Sequence, residues 1–157
     1  MPRITPCLWF DTRAEEAARF YVSIFKNSKV GAITRYGKGA PMPEGGVLTV
    51  RFRLDGQEFL ALNGGPIFRF TEAVSFIANC STQKEIDRMW ARLSEGGQEV
   101  ECGWLKDKFG LSWQIVPTIL SKLLTGKDAA RGQRVMQALL QMRKLDIAQR
   151  KKAYGQR

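Results

Sequence analysis

Histidine is absent from all 157 residues. Its absence excludes Ser-His-Asp and Cys-His nucleophile pairs, HExxH-type zinc hydrolysis, zinc fingers and any metal triad of imidazoles, because each needs a neutral imidazole as base or ligand. Cysteine is scarce as well. Cys7, Cys80 and Cys102 are odd in number, widely spaced and without a CxxC pair, so reduced, mostly buried thiols are expected rather than a disulfide framework or a metal knot. No apolar run approaches the ~18–20 residues of a membrane span, and no basic-then-apolar leader opens the chain, so the expected location is the cytoplasm. Proline is limited to 6 residues, while 44% hydrophobic and 25% charged content are ordinary for a globular chain. The length fits one domain that buries a core without staples.

Charge is present in excess, and unevenly. The formal net charge is +10, and residues 118–157 carry 10 Lys/Arg against 2 Asp/Glu, whereas residues 1–117 are nearly balanced at 15 against 13. The chain therefore reads as a balanced domain over 1–117 followed by a basic extension over 118–157.

Within the first part the apolar period changes in a repeating order. Residues 3–10 are extended, Thr12 and Glu15 form a capping-box pair, and Ala14, Ala17, Tyr21, Ile24 and Phe25 mark one face of a helix over 12–26. Extended segments follow at 29–36, 46–54 and 56–63, the last two joined by an Asp55-Gly56 hairpin turn. The order then restarts: a strand at 73–80, a second capping box at Thr82 and Glu85, a helical stripe of Ile86, Met89, Trp90 and Leu93, and strands at 98–104, 106–109 and 111–116. Two βαβββ modules, about 3–63 and 73–116, share one plan. Such a repeat has a physical reason, since each short sheet covered by one helix needs a second copy to protect its remaining edge.

Beyond Pro117 the pattern is helical. Ile119, Leu120, Leu123 and Leu124 form a short apolar patch, and Asp128 opens a longer helix with Val135, Ala138, Leu139 and Met142 on one face. That face is read either as a cover for the protein's own core or as a dimer arm. Lys144 to Arg157 is a Lys/Arg-rich extension expected to fray. Its basicity admits nucleic-acid or anionic-polymer binding, but Tyr154 is its one aromatic and it has no reading motif, so nucleic acid is not the expected partner.

The strings ITPCLWFDTRAEEAARFYVSIFKNSKV, GQEFLALNGG and CGWLKDKFGLSWQIVP resemble the PhnB-like branch of the vicinal oxygen chelate superfamily, the glyoxalase/bleomycin-resistance/dioxygenase fold, over about residues 3–145. Some members of that branch carry the name 3-demethylubiquinone-9 3-methyltransferase. The resemblance implies an α+β fold in which paired βαβββ modules form a cupped mixed sheet, here with extra C-terminal helices, and a homodimer. It also implies a divalent metal held by His and Glu side chains from the first and fourth strands of each module. Here those positions fall on Thr5 or Pro6, Ser75, Leu60 and Gln114. None is a carboxylate or imidazole, so no tight metal and no other cofactor is expected, although a divalent metal at Gln114 stays open. The methyltransferase name finds no support in a motif for S-adenosylmethionine: no glycine-rich turn leads from a strand onto a helix with an acidic residue downstream.

Strand alternation is read as placing Pro6, Leu8 and Phe10 in the cup together with Glu58, Ser75, Asn79, Ser112, Gln114 and Val116. The candidate pocket residues are Gln114, Ser75, Leu60, Pro6, Asn79 and Trp104, with Glu58 as the one candidate catalytic group. Gln114 and Ser75 either face a ligand or satisfy each other. Glu58 is either a general base or a strand glutamate paired with Arg51 or Arg53. Trp104 and Trp113 either pack internally or stack on a flat ligand. Cys102 lacks an imidazole to ionise it. The expected function is capture of a small molecule in the cup without a tight metal, the alternative is a metal-dependent enzyme on an oxygenated substrate, and whether there is turnover is left undecided.

Overall fold

A computed structural model describes residues 2–155. It divides into two compact units, Met1–Phe70 and Thr71–Arg157. In the first, β1 (Cys7–Phe10), α1 (Ala14–Ile24), β2 (Lys29–Arg35), β3 (Val47–Leu54) and β4 (Gln57–Asn63) form a mixed sheet of order β1-β4-β3-β2. β1 runs parallel to β4, and the other pairs are antiparallel. Asp55 and Gly56, both left-handed at φ 45° and 83°, make the tight β3–β4 turn that Asp-Gly predicts.

One face of this sheet is buried against α1. Val50, Phe52, Leu54, Phe59 and Ala61 alternate inward to meet Ala14, Ala17, Ala18, Tyr21 and Ile24, and Tyr21, Phe52 and Phe59 stack in series with centroids 6.2 and 5.3 Å apart. Leu8 and Phe10 lie in register with Ala61 and Asn63 on this same buried face. The expectation that they face the cup is therefore corrected: both faces of CLWF are apolar, and alternation alone does not say which one a helix covers.

The capping box at Thr12 and Glu15 is also replaced. Arg13 is the N-cap and makes no side-chain cap bond. Instead Asn63, at the far end of β4, accepts the Ala14 N–H at 2.8 Å, and its Nδ2 donates to the Val47 carbonyl at 3.1 Å. Glu15 pairs with Arg19 on the helix surface.

The second unit repeats the order with β5 (Ser75–Cys80), α2 (Gln83–Ser94), β6 (Gln98–Glu99), β7 (Trp104–Lys106) and β8 (Ser112–Pro117), arranged β5-β8-β7-β6. Here the capping box forms: Glu85 N–H donates to Thr82 Oγ1 at 3.1 Å, and the Glu85 carboxylate accepts Ser81 N–H at 2.8 Å. Ile86, Trp90 and Leu93 are buried beneath it. The predicted strand 98–104 is interrupted, because Cys102 and Gly103 are both left-handed (φ 59° and 82°) and their N–H groups bond to the carbonyls of Met142 and Arg143. Residues 107–110 form a turn rather than part of a strand. Buried Asp107 holds that turn by accepting the N–H groups of Phe109 and Leu111 and the Trp113 indole N–H at 2.9–3.1 Å.

Three helices complete this unit: α3 (Ile119–Leu124), α4 (Ala129–Leu140), capped by Asp128, and α5 (Ile147–Gly155). Leu123, Val135, Leu139, Met142 and Leu145 form one buried cluster, so the face read as a possible dimer arm is consumed inside the unit. Of the segment 144–157 expected to fray, residues 147–155 form a helix, and 156–157 lie outside the described residues. Gln83 bridges it to α2, donating to the Leu145 carbonyl and accepting the Ile147 N–H. Arg150 is fully buried: its Nε donates to the Asp146 carbonyl, while both Nη atoms lack a partner among the described residues. Burial pushes its pKa down to about 10, opposed by Asp146.

Two stability predictions follow from these contacts. Asn63→Ala, which strands a helix N–H and a strand carbonyl, lowers unfolding stability by about 2 kcal/mol in urea melts, and Asn63→Asp, which keeps the acceptor, loses less. A cation with a depressed folded pKa destabilises the native state while charged, a penalty present below pH about 10 and relieved as pH rises through that value toward the unfolded pKa. Arg150→Met is therefore expected to raise neutral-pH stability by about 1 kcal/mol in the same measurement.

Candidate binding faces of the two sheets

Each sheet leaves the face opposite its helix open, and strand register names what lies there. In the first sheet, rows run across the strands. Lys29, Arg53 and Glu58 form one row, Arg51, Leu60 and Cys7 the next, and Thr34, Thr49, Leu62 and Trp9 a third. Gly31 comes up beside Arg51, with no side chain of its own above the strand. Arg53 Nη2 stands 3.8 Å from Glu58 Oε1, while the buried Glu58 Oε2 has no hydrogen-bond partner among the described residues. Thr34 and Thr49 hydroxyls bond at 2.5 Å. Trp9 is fixed by its indole N–H to the Gly65 carbonyl at 2.9 Å and edge-on contact with Phe68, and it lies so close over Gly64 that a Cβ there would fall 2.3 Å from the ring. Partial burial raises the Cys7 thiol above its ordinary pKa, which favours the neutral, non-nucleophilic form.

In the second sheet the open face carries Ser75, Ile77 and Asn79 from β5, Ser112, Gln114 and Val116 from β8, and Trp104 and Lys106 from β7. Gln114 Nε2 donates to Ser75 Oγ at 2.9 Å, so these two groups do satisfy each other, and the Gln114 carbonyl oxygen is left over. Trp104 sits directly across from Gln114. Lys106 is ion-paired with Glu72 and lowers that carboxyl's pKa through the hydrogen bond. Ser112 is buried, and its hydroxyl has no hydrogen-bond partner among the described residues. Trp113, by contrast, is a core residue tied to Asp107.

The registers make the two faces comparable position by position. Leu60 opposite Cys7 corresponds to Gln114 opposite Ile77, Arg51 to Trp104, and the Arg53–Glu58 pair to Lys106–Ser112. Two of the unpartnered buried atoms, on Glu58 and Ser112, thus occupy the same place in the repeat. The sequence brought Ser75, Asn79, Gln114 and Trp104 to one face, with Asn79 at its exposed margin. Leu60 and Glu58 share the other sheet's open face, one row apart. Pro6 precedes β1 and contributes its carbonyl to Leu60 N–H at 2.9 Å, and counting from Leu60 assigns Cys7 and Trp9, not Pro6, to the open face. In the sequence Arg51 stands out only as a candidate partner for Glu58. Counting outward from the Asp55-Gly56 turn, 53 to 58 and 51 to 60, would have shown that it lies opposite a leucine. A separate groove of about 540 Å³ is lined by Arg134 and Gln137 of α4, its C-cap Gln141, and Lys152 of α5.

Among the described residues no group of three Cys, Asp or Glu side chains could hold a metal ion. The positions assigned by resemblance to the metal carry Thr5 or Pro6, Ser75, Leu60 and Gln114, which offer hydroxyls and one neutral amide but no carboxylate or imidazole, a donor set that does not fit a tightly held divalent cation.

Known proteins agree with this architecture. A PhnB protein from Bacillus cereus superposes with a TM-score of 0.69 at 36% identity, covering 74% of this chain and 100% of its own. A protein from Pseudomonas aeruginosa superposes at 0.62 with 20% identity, covering 74% and 98%. A glyoxalase/bleomycin-resistance/dioxygenase domain from Frankia aligns at 0.48 and 14%, covering 74% and 92%. A search of curated proteins finds no match. No helix among the described residues is long and apolar enough to cross a membrane. The family model for 3-demethylubiquinone-9 3-methyltransferase matches residues 2–116, and with the 36% identity to the Bacillus cereus PhnB protein it shows that the chain belongs to this PhnB-like family.

Proposed function

We propose that this protein captures a small molecule against the open faces of its sheets without a tightly bound metal. The observation that carries the reading is the chemistry at Gln114: the position that resemblance assigns to a metal-ligating carboxylate holds a neutral amide, which donates its Nε2 hydrogen to Ser75 Oγ at 2.9 Å and has only an uncharged oxygen to offer a cation. What remains on both faces is a mixture of apolar floor and a few unsatisfied polar atoms, the composition of small-molecule sites. Binding is favoured over a defined reaction because Glu58, the candidate base, faces Arg53 and is adjacent to no nucleophile in its row. The family's methyltransferase name is not carried over. The strand-to-helix turns, Asp11–Arg13 and Ser81–Thr82, contain no glycine to admit a phosphate or a nucleoside close to the backbone.

A homodimer belongs to the same reading. Ile67 and Phe68, on the connector after β4, are 77% and 62% exposed, a cost in water that a second copy would remove. Sedimentation equilibrium is expected to give twice the chain mass, and Phe68→Asp to shift it toward the monomer.

The metal-free claim is tested by thermal unfolding of chelator-stripped protein with Mg²⁺, Mn²⁺, Ni²⁺ and Zn²⁺ added singly, since any ligand of the native state raises the midpoint by mass action. No shift is expected. A saturable rise that Gln114→Ala abolishes would overturn the reading and return the protein to metal-dependent chemistry.

A further inference from the structure

We infer that Arg51 is an anion-recognising residue on the first sheet's open face, and that the ligand it selects is a small carboxylate bearing a hydrogen-bond donor on the neighbouring carbon. The inference rests on the binding function proposed above and names its ligand class.

Arg51 is half-buried on β3, an interior strand of the sheet. Its row offers it nothing: Leu60 stands opposite on one side, Cys7 lies beyond, and Gly31 on the other side has no side chain. Among the described residues its guanidinium makes no hydrogen bond and no ion pair, unlike Arg13, Arg19, Arg53, Arg131 and Arg143, each of which has a carboxylate within 4 Å. A guanidinium drawn partly out of water loses hydration that only an acceptor restores.

The neighbouring acid does not serve. Glu58 is the diagonal cross-strand neighbour of Arg51, a relation that puts side chains ~7–8 Å apart at their bases and within reach. Glu58 turns to Arg53 instead, and its Oε2 stays buried with no donor among the described residues. The face thus holds a free five-donor fork and a free carboxylate acceptor on adjacent rows. Leu60 and Leu62 lie on the apolar floor, with Trp9 at the margin.

These two groups demand different things of one ligand. The fork takes a carboxylate in bidentate geometry. Glu58 Oε2 repels a bare anion and needs an O–H or N–H, so a dianionic phosphoryl or sulfate group without a donor leaves it in conflict. A carboxylate with a hydroxyl or amino group on the next carbon satisfies both, and an apolar remainder covers the leucines.

The test uses three matched probes on the full chain: mandelate, which has carboxylate and hydroxyl, phenylacetate, which lacks the hydroxyl, and mandelamide, which lacks the charge. Each is titrated while amide NMR shifts of β3 and β4 are followed. Mandelate is expected to perturb Arg51, Leu60 and Glu58 and to bind about tenfold or more tightly than either analogue. Arg51→Gln should remove that advantage over mandelamide, and Arg51→Lys, which keeps the charge but not the fork, should retain part of it. Equal binding of mandelate and mandelamide at this face would overturn the inference and leave small-molecule capture standing. Perturbation confined to other elements would overturn it also. No perturbation by any of the three overturns both the inference and the binding function of this face.

Discussion

The constraint on which the rest depends is that each four-stranded sheet has two faces and one helix. A strand's side chains alternate with a period of two, so once α1 covers Val50, Phe52, Phe59 and Ala61, every residue between them is committed to the other side. The identities on that side then have no packing task to explain them. Arg51 and Glu58 in the first unit, and Gln114 and Ser112 in the second, occupy places that a purely structural sheet would fill with residues satisfied by their neighbours or by bulk water. Their incomplete hydrogen bonding is what supports the proposed reading of these faces as ligand surfaces.

How tightly the helix is held follows from the ends of the strands. In the first unit, Asn63 joins the last strand to the first turn of α1 and to β3, so cap and sheet close together. The second unit solves the same problem locally, through Thr82, Ser81 and Glu85. The same module plan thus tolerates two capping schemes, and a capping-box pattern in the sequence discriminates between them poorly: Thr12 and Glu15 spell the motif, but the helix starts one residue later and its orphan N–H finds a distant amide.

The repeated element order, the Asp55-Gly56 hairpin and the helical stripes of Ile86, Trp90 and Leu93 were legible because each depends on short-range chemistry. The misread features depend on partners far along the chain. Leu8 and Phe10 could be assigned to a face only once β1 was registered against β4. The strand expected over 98–104 breaks where Cys102 and Gly103 donate to residues 142 and 143, some forty positions away. The basic C-terminal run looked solvated because its cations dominate the composition. Yet Gln83 and the buried Leu145 and Ala153 bind it into the unit, and Arg143 and Lys144 meet Glu101 and Asp87. Burial on one side of a helix is invisible in a count of its charges.

The two open faces also explain why a family name and a family chemistry can part. The βαβββ frame is specified by core-facing residues, and its helices and sheets survive any exchange on the opposite face that does not disturb the pleat. Leu60 and Gln114 sit at matched positions, one unable to ligate anything and the other a neutral amide engaged with Ser75. Arg51 and Trp104 are matched in the same way, and they differ as completely as two side chains can in charge and shape. An internal repeat that kept a symmetric metal would constrain both copies alike. Here the copies differ at the central position, a cation at Arg51 in one unit and an indole at Trp104 in the other, so each face has its own chemistry.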